Sequence, residues 1–127
     1  MVRPTDARTS DQGSRYAPGV CSETTGASSL FLGLITLAPG QRTRAHVHEH
    51  HESAHYMLSG EEVELWTGPD LQRCDRVRPG EFLFIPAGLP HVAVNRGSAP
   101  AVFVGARNDA HLQESAHLLP RLDPLVP

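Results

Sequence analysis

Short apolar segments alternate with glycine and proline along most of this chain, and that punctuation constrains its fold more than any other feature. The 11 glycines and 11 prolines fall almost entirely between the segments, where they end one strand and admit the next. Leu30 to Gly40 (LFLGLITLAPG) is a continuous apolar run closed by Pro39-Gly40. It is too short and too glycine-interrupted for a helix, and it suits a strand covered on both faces. Ala54 to Ser59 reads as a second strand. It turns at Gly60 into EEVELWTG, where Glu62 and Glu64 alternate with Val63 and Leu65, one face wet and one dry. Leu71 to Val77 reads as an edge strand, and Glu81 to Pro86, His91 to Asn95 and Ala101 to Arg107 complete the series. No helical period of useful length occurs from 16 to 107. The tail, HLQESAHLLPRLDPLVP, fits either a turn of helix or a last strand over Ser115 to Leu119. Many short strands with glycine and proline turns predict an all-β fold, a sandwich or closed barrel that hides its edges.

A chain of 127 residues is one domain long enough to bury a core without disulfides. Residues 1–15 are polar and poor in β-branched and aromatic side chains, so a flexible N-terminal segment is expected before a single domain over 16–127. With a net charge of −3 and scattered arginines, nothing resembles a footprint for nucleic acid or an anionic membrane. Cys21 and Cys74 lack the spacing of a disulfide framework and read as free buried thiols in a reducing compartment. The N-terminus has no apolar stretch behind its positive charges, and Leu30 to Ala38 is too short to span a bilayer, so a cytoplasmic protein is expected.

The chemistry concentrates in Ala45 to Gly60, AHVHEHHESAHYMLSG, which holds five of the eight histidines and two glutamates. Histidine at that density makes sense where several imidazoles converge on one ion. His46 and His48 are two apart, so in a strand both rings enter the same space. A Pro86-x-Gly88 turn places His91 at the start of another strand, where it can meet that pair from across a barrel. Three imidazoles with open positions make a catalytic metal site, not a structural one.

These residues carry a resemblance. The chain resembles a small single-domain cupin, a jelly-roll β-barrel, over residues 30 to 107. The second half of the cupin signature, G-x5-P-x-G-x2-H-x3-N, is matched at Gly80, Pro86, Gly88, His91 and Asn95. The first half is matched at Gly40, His46, His48 and Gly60, but its acidic ligand is missing: the spacing back from Gly60 falls on Ser53. With Gly60 setting the register, Ser53, His55 and Met57 face the barrel interior and Glu52 points away unless a bulge turns it in. His55 is therefore the first candidate for a fourth ligand, His51 the next and Glu52 the third. Glu49, His50 and His51 otherwise read as a solvated turn, as Arg107 does as a solvated arginine.

Leu32, Leu34, Met57, Phe82, Phe84 and Phe103 are the other candidates for the cavity wall, with Ser53 among them. An apolar barrel with a metal at one end suits a flat, largely hydrophobic ligand bearing a few oxygens. Among cupins, the chain resembles the small polyketide cyclases of actinomycete aromatic pathways such as that for resistomycin. That resemblance implies a zinc site (iron, manganese or nickel being the alternatives), a poly-β-ketone substrate and aldol-type ring closure. It also implies a homodimer paired through strands such as Leu30 to Ala38. An Fe(II) dioxygenase and a non-catalytic small-molecule-binding cupin are the rival readings, because fold does not specify function.

Overall fold

The computed structural model describes residues 1–4 and 6–127. In chain order the strands are β1 (Arg8–Thr9), β2 (Arg15–Val20), β3 (Phe31–Leu37), β4 (His46–Val47), β5 (Ser53–Ser59), β6 (Val63–Thr67), β7 (Arg73–Val77), β8 (Phe82–Ile85), β9 (His91–Asn95), β10 (Ala101–Arg107) and β11 (His117–Leu118). One turn of helix, α1 (Ser22–Thr25), and a closing 3₁₀ turn (Pro120–Leu125) are the only helical pieces among the described residues. No helix there is long and apolar enough to cross a membrane. The strands form two antiparallel sheets, six-stranded in the order β1-β2-β3-β10-β5-β8 and five-stranded in the order β11-β4-β9-β6-β7. The edge position expected for Leu71 to Val77 is that of β7.

The inner faces of the two sheets enclose Tyr16, Ile35, Leu37, Met57, Val63, Val77, Ala101 and Phe103. A second cluster, Ala45, Leu71, Val92, Val94, Leu122 and Val126, lies where the C-terminal turn packs on the outer face of the five-stranded sheet. The tail is thus both of the things its sequence allowed, a two-residue strand paired with β4 and then a helical turn. Among the described residues no strand or helix covers the outer face of the six-stranded sheet in the same way. Val2 and Pro4 line a groove there with Leu32 and Leu34, and Leu32, Leu58, Phe82 and Phe84 are exposed.

That exposure corrects four cavity assignments. Phe82 and Phe84 are 79% and 60% exposed, Leu32 is 47% exposed, and Leu34 lies beside it on the outer face. Their neighbours of opposite parity, Leu83, Ile85, Ile35 and Leu37, are the ones that line the interior. Pairing decides the parity: Ser53 stands opposite Ile85 and His55 opposite Leu83, and directly opposed residues share a face. Likewise Phe103 stands opposite both Ile35 and Met57, and all three point inward.

Two further expectations are corrected. The N-terminal segment is built into the fold from Arg8: β1 pairs with β2, and Ser10, Gln12 and Ser14 are buried. Arg107 is not solvated but 5% exposed, with its guanidinium 3.6 Å from the centre of the Phe31 ring and its Nη2 donating to the Leu112 carbonyl at 3.0 Å. Cys21 and Cys74 are both free, the first buried and the second half-buried. Asn95 of the second half-signature has a structural part. Its amide donates to the carbonyls of Leu37 (3.0 Å) and Ala99 (2.9 Å) and so ties the two sheets together at the closed end.

Candidate metal centre

Strand geometry brings three imidazoles together. His46 of β4 stands directly opposite His91 of β9, and His48 follows two residues later on the same face. The turn before β9 is fastened to them, because the Gly88 N–H donates to the His48 carbonyl at 2.7 Å. Gly88 has φ +79°, a left-handed conformation that glycine adopts without steric cost. The ring centres of His46 and His91 are 4.2 Å apart, and those of His46 and His48 4.8 Å. All three residues are at most 4% exposed, and one ligand atom from each lies within 4.8 Å of the other two.

The hydrogen bonds behind the rings settle which atoms face the centre. His46 Nδ1 lies 2.6 Å from the Arg44 carbonyl, His48 Nδ1 2.8 Å from that of Ser115 and His91 Nδ1 2.9 Å from that of Leu89. A carbonyl only accepts, so each Nδ1 carries the proton and each Nε2 turns a lone pair inward. Burial keeps these rings neutral. It pushes His46 down to about 4, lowers His48, and takes His91 well below the ordinary histidine value with help from neighbouring His46. Three neutral imidazoles, each oriented from behind by a backbone acceptor, are a donor set that fits a divalent transition-metal ion.

A second set shares His48. His48, His51 and Glu114 also bring ligand atoms within 4.8 Å of one another, all buried. His51, the second candidate for a fourth ligand and otherwise read as part of a solvated turn, is 4% exposed, and its Nε2 donates to Glu114 Oε2 at 2.8 Å. Its Nδ1 is 3.7 Å from Asp109 Oδ2. Glu114 Oε1 accepts from Gln12 Nε2 (2.9 Å) and from the Tyr16 hydroxyl (2.5 Å), while Arg107 Nε is 3.6 Å from Oε2. Burial alone would raise this carboxyl. The bond from His51, the nearby His48 and Arg107 and the bond from Tyr16 outweigh it and hold Glu114 well below the usual carboxylate range. Tyr16 is in turn pushed well up, first by burial and then by the Glu114 charge.

His55, the first candidate for a fourth ligand, lines the cavity but belongs to neither set. Its ring stands edge-on to Phe103 at 6.3 Å, its Nδ1 is buried without a hydrogen-bond partner, and burial pushes it down to about 4. Gly105, opposite it on β10, makes the room: a Cβ there would run into the Ile35 side chain and lie 3.1 Å from His55 Cδ2. Glu52 is exposed, with its backbone N–H donating to Asn108 Oδ1, and His50 is exposed as well. Ser53 is buried and faces the cavity. The enclosed space is about 80 Å³, walled by Ile35, Leu37, Val63, Leu65, Leu83, Ile85, Ala93 and Phe103 with the histidines at one end.

Comparison with known proteins identifies the family of this fold. The model of the cupin domain family matches residues 33–106. The tetracenomycin polyketide synthase protein TcmJ of Streptomyces glaucescens is 37% identical over 76 residues, 60% of this chain and 48% of that protein. Protein SchB of Streptomyces halstedii is 34% identical over 82 residues, 64% of this chain and 56% of that protein. The chain spans about half the length of these curated relatives. Among solved structures, the polyketide cyclase RemF of Streptomyces resistomycificus superposes with a TM-score of 0.66 at 26% identity, covering 89% of this chain and 82% of that one.

Proposed function

The chain belongs to the cupin family, in a part of it related to polyketide-synthesis proteins, and on that footing we propose that it is a metal-dependent polyketide cyclase. The observation that carries the proposal is the triad of Nε2 lone pairs from His46, His48 and His91 at one end of an apolar cavity. These three residues hold the ion, zinc by preference. A bound divalent ion supplies Lewis acidity at the cavity end, where it polarises a substrate carbonyl.

The chain's own residues do the rest. The walls of Ile35, Leu37, Leu83 and Phe103 exclude water and hold two carbons of a poly-β-ketone near reacting distance. About 80 Å³ is below the roughly 300 Å³ at which ordinary ligand pockets begin, so only the reacting end of the substrate is enclosed and the rest lies across the mouth. His55 is the wall's uncommitted imidazole and the group placed to accept the acidic α-proton. The α-carbon then bonds to a second ketone carbon as that carbonyl's π bond opens, and the resulting alkoxide takes back the proton held by His55. Loss of the hydroxyl with a further α-proton as water leaves the ring unsaturated.

The protein acts in the cytoplasm as a homodimer. A second copy covers the outer face of the six-stranded sheet through Leu32, Leu58, Phe82 and Phe84, which are exposed in the single chain. Three imidazoles beside a carboxylate also suit Fe(II) and dioxygen chemistry, so metal analysis with oxygen uptake is the test. Protein purified without added metal should carry zinc and consume no oxygen with a β-diketone. Iron together with oxygen consumption would replace the cyclase reading by a dioxygenase.

A further inference from the structure

We propose that Glu114, delivered from the C-terminal segment, is the anionic ligand of the ion and takes the place of the acid that the first half-signature lacks at Ser53. The inference rests on the reading that His46, His48 and His91 hold a metal. Three neutral imidazoles leave a dication uncompensated in an apolar barrel, and burying charge without a counter-charge is expensive. Glu114 is the single carboxylate among the described residues lining the cavity.

Its contact with His48 is the second argument. His48 gives its one proton to the Ser115 carbonyl through Nδ1, so Nε2 faces outward as an acceptor. Glu114 Oε2 lies 3.6 Å from that Nε2. Two acceptors at this distance repel unless a cation sits between them. Two donors each roughly 2.1 Å from one ion lie roughly 3.0 Å apart at a right angle and roughly 3.4 Å apart at the tetrahedral angle. The observed spacing to His48 is close to that of neighbouring ligands. Glu114 groups with His48 and His51 and not with His46 and His91, so its carboxylate has to turn toward those two when the ion binds.

The segment is shaped to deliver the residue. Asp109 accepts from the N–H groups of His111 and Ser115, which folds the chain back over the histidines. Consecutive residues then address one imidazole from both sides, Ser115 at Nδ1 and Glu114 at Nε2. His51 acts through Glu114: its Nε2 proton is committed to Oε2, which makes it a positioning residue.

The test is a zinc titration in competition with a chromophoric chelator, on wild type, Glu114→Gln, Glu114→Gln combined with Ser53→Glu, and His46→Ala. It is paired with the infrared difference spectrum of the wild-type protein on adding zinc. Glu114→Gln should weaken zinc binding by at least about 10-fold. Ser53→Glu should restore most of that loss, and the wild-type carboxylate stretching bands should shift. Unchanged affinity in Glu114→Gln while His46→Ala loses zinc overturns the assignment and leaves the imidazole site standing. Unchanged affinity in both overturns the metal reading itself. A weakened variant with unmoved wild-type carboxylate bands also overturns the assignment, and makes Glu114 a positioning residue. Should Glu114→Gln fail to fold, the wild-type spectrum decides alone.

Discussion

Acid should destabilise the metal-free protein well before its carboxylates titrate. His46 and His55 are each pushed down to about 4 by burial, from an ordinary value of 6.5. Between those values the unfolded chain binds protons that the folded protein refuses. Stability is therefore full above about pH 6.5 and falls as the pH drops toward about 4. At pH 5, roughly 1.5 pH units below the ordinary value, each imidazole withdraws about 2 kcal/mol, at about 1.4 kcal/mol per unit. The pair together withdraws about 4 kcal/mol, a large share of the 5–15 kcal/mol typical of a small domain. His48 and His91, lowered by the same burial, act in the same direction. Urea unfolding of chelator-treated protein at a series of pH values between about 7 and about 5 measures the slope. His55→Gln removes one of these contributions without touching the ion set, so it should reduce the acid loss at pH 5 by about 2 kcal/mol. Added zinc should raise stability across the range to the extent that it binds the folded histidine set more tightly than the unfolded chain. A metal-free protein equally stable at both ends of the range, or a His55→Gln variant with the full acid loss, would refute the reasoning.

His46→Ala and His91→Ala should each lose most bound zinc by elemental analysis while keeping the wild-type β-sheet circular dichroism, because neither ring is a member of the apolar clusters that hold the sheets together. Glu52→Ala, whose side chain is exposed, should keep the metal; its loss there would show that the carboxylate turns inward. If the proposed dimer forms through this face, Phe82→Asp with Phe84→Asp should give a monomer in light scattering with little change in zinc content. A dimer that survives both charges would place the interface elsewhere.

The barrel was legible because its signature consists of glycines, prolines and histidines at fixed spacings, each with a local job: Gly88 turns the chain, and His91 begins the strand that follows. The faces of the strands were legible only where polarity alternates. In EFLFIP and LFLGLITL both parities are apolar, so nothing local separates Phe82 and Phe84 from Leu83 and Ile85. The inward direction is decided by the partner strand, which carries Ser53 and His55. Glu114 was hidden for a different reason. It stands between Gln113 and Ser115 in a tail without periodicity, and it reaches the site only through the fold-back at Asp109. Gln12 and Tyr16, which hold it, come from the opposite end of the chain. The one local hint was the missing acid at Ser53, which implies that a carboxylate must arrive from somewhere else. The burial of His51 is hidden in the same way, since its ring nitrogen finds its partner in Glu114.

The most direct test is the product distribution of a minimal aromatic polyketide synthase mixture given this protein as wild type, stripped of metal by chelator, restored with zinc, or as His91→Ala. The histidine triad predicts that wild type and zinc-restored protein redirect spontaneous products toward one cyclised compound, while the stripped protein and His91→Ala leave the spontaneous mixture unchanged. Equal redirection by all four preparations would contradict a role for the triad and its ion in ring closure.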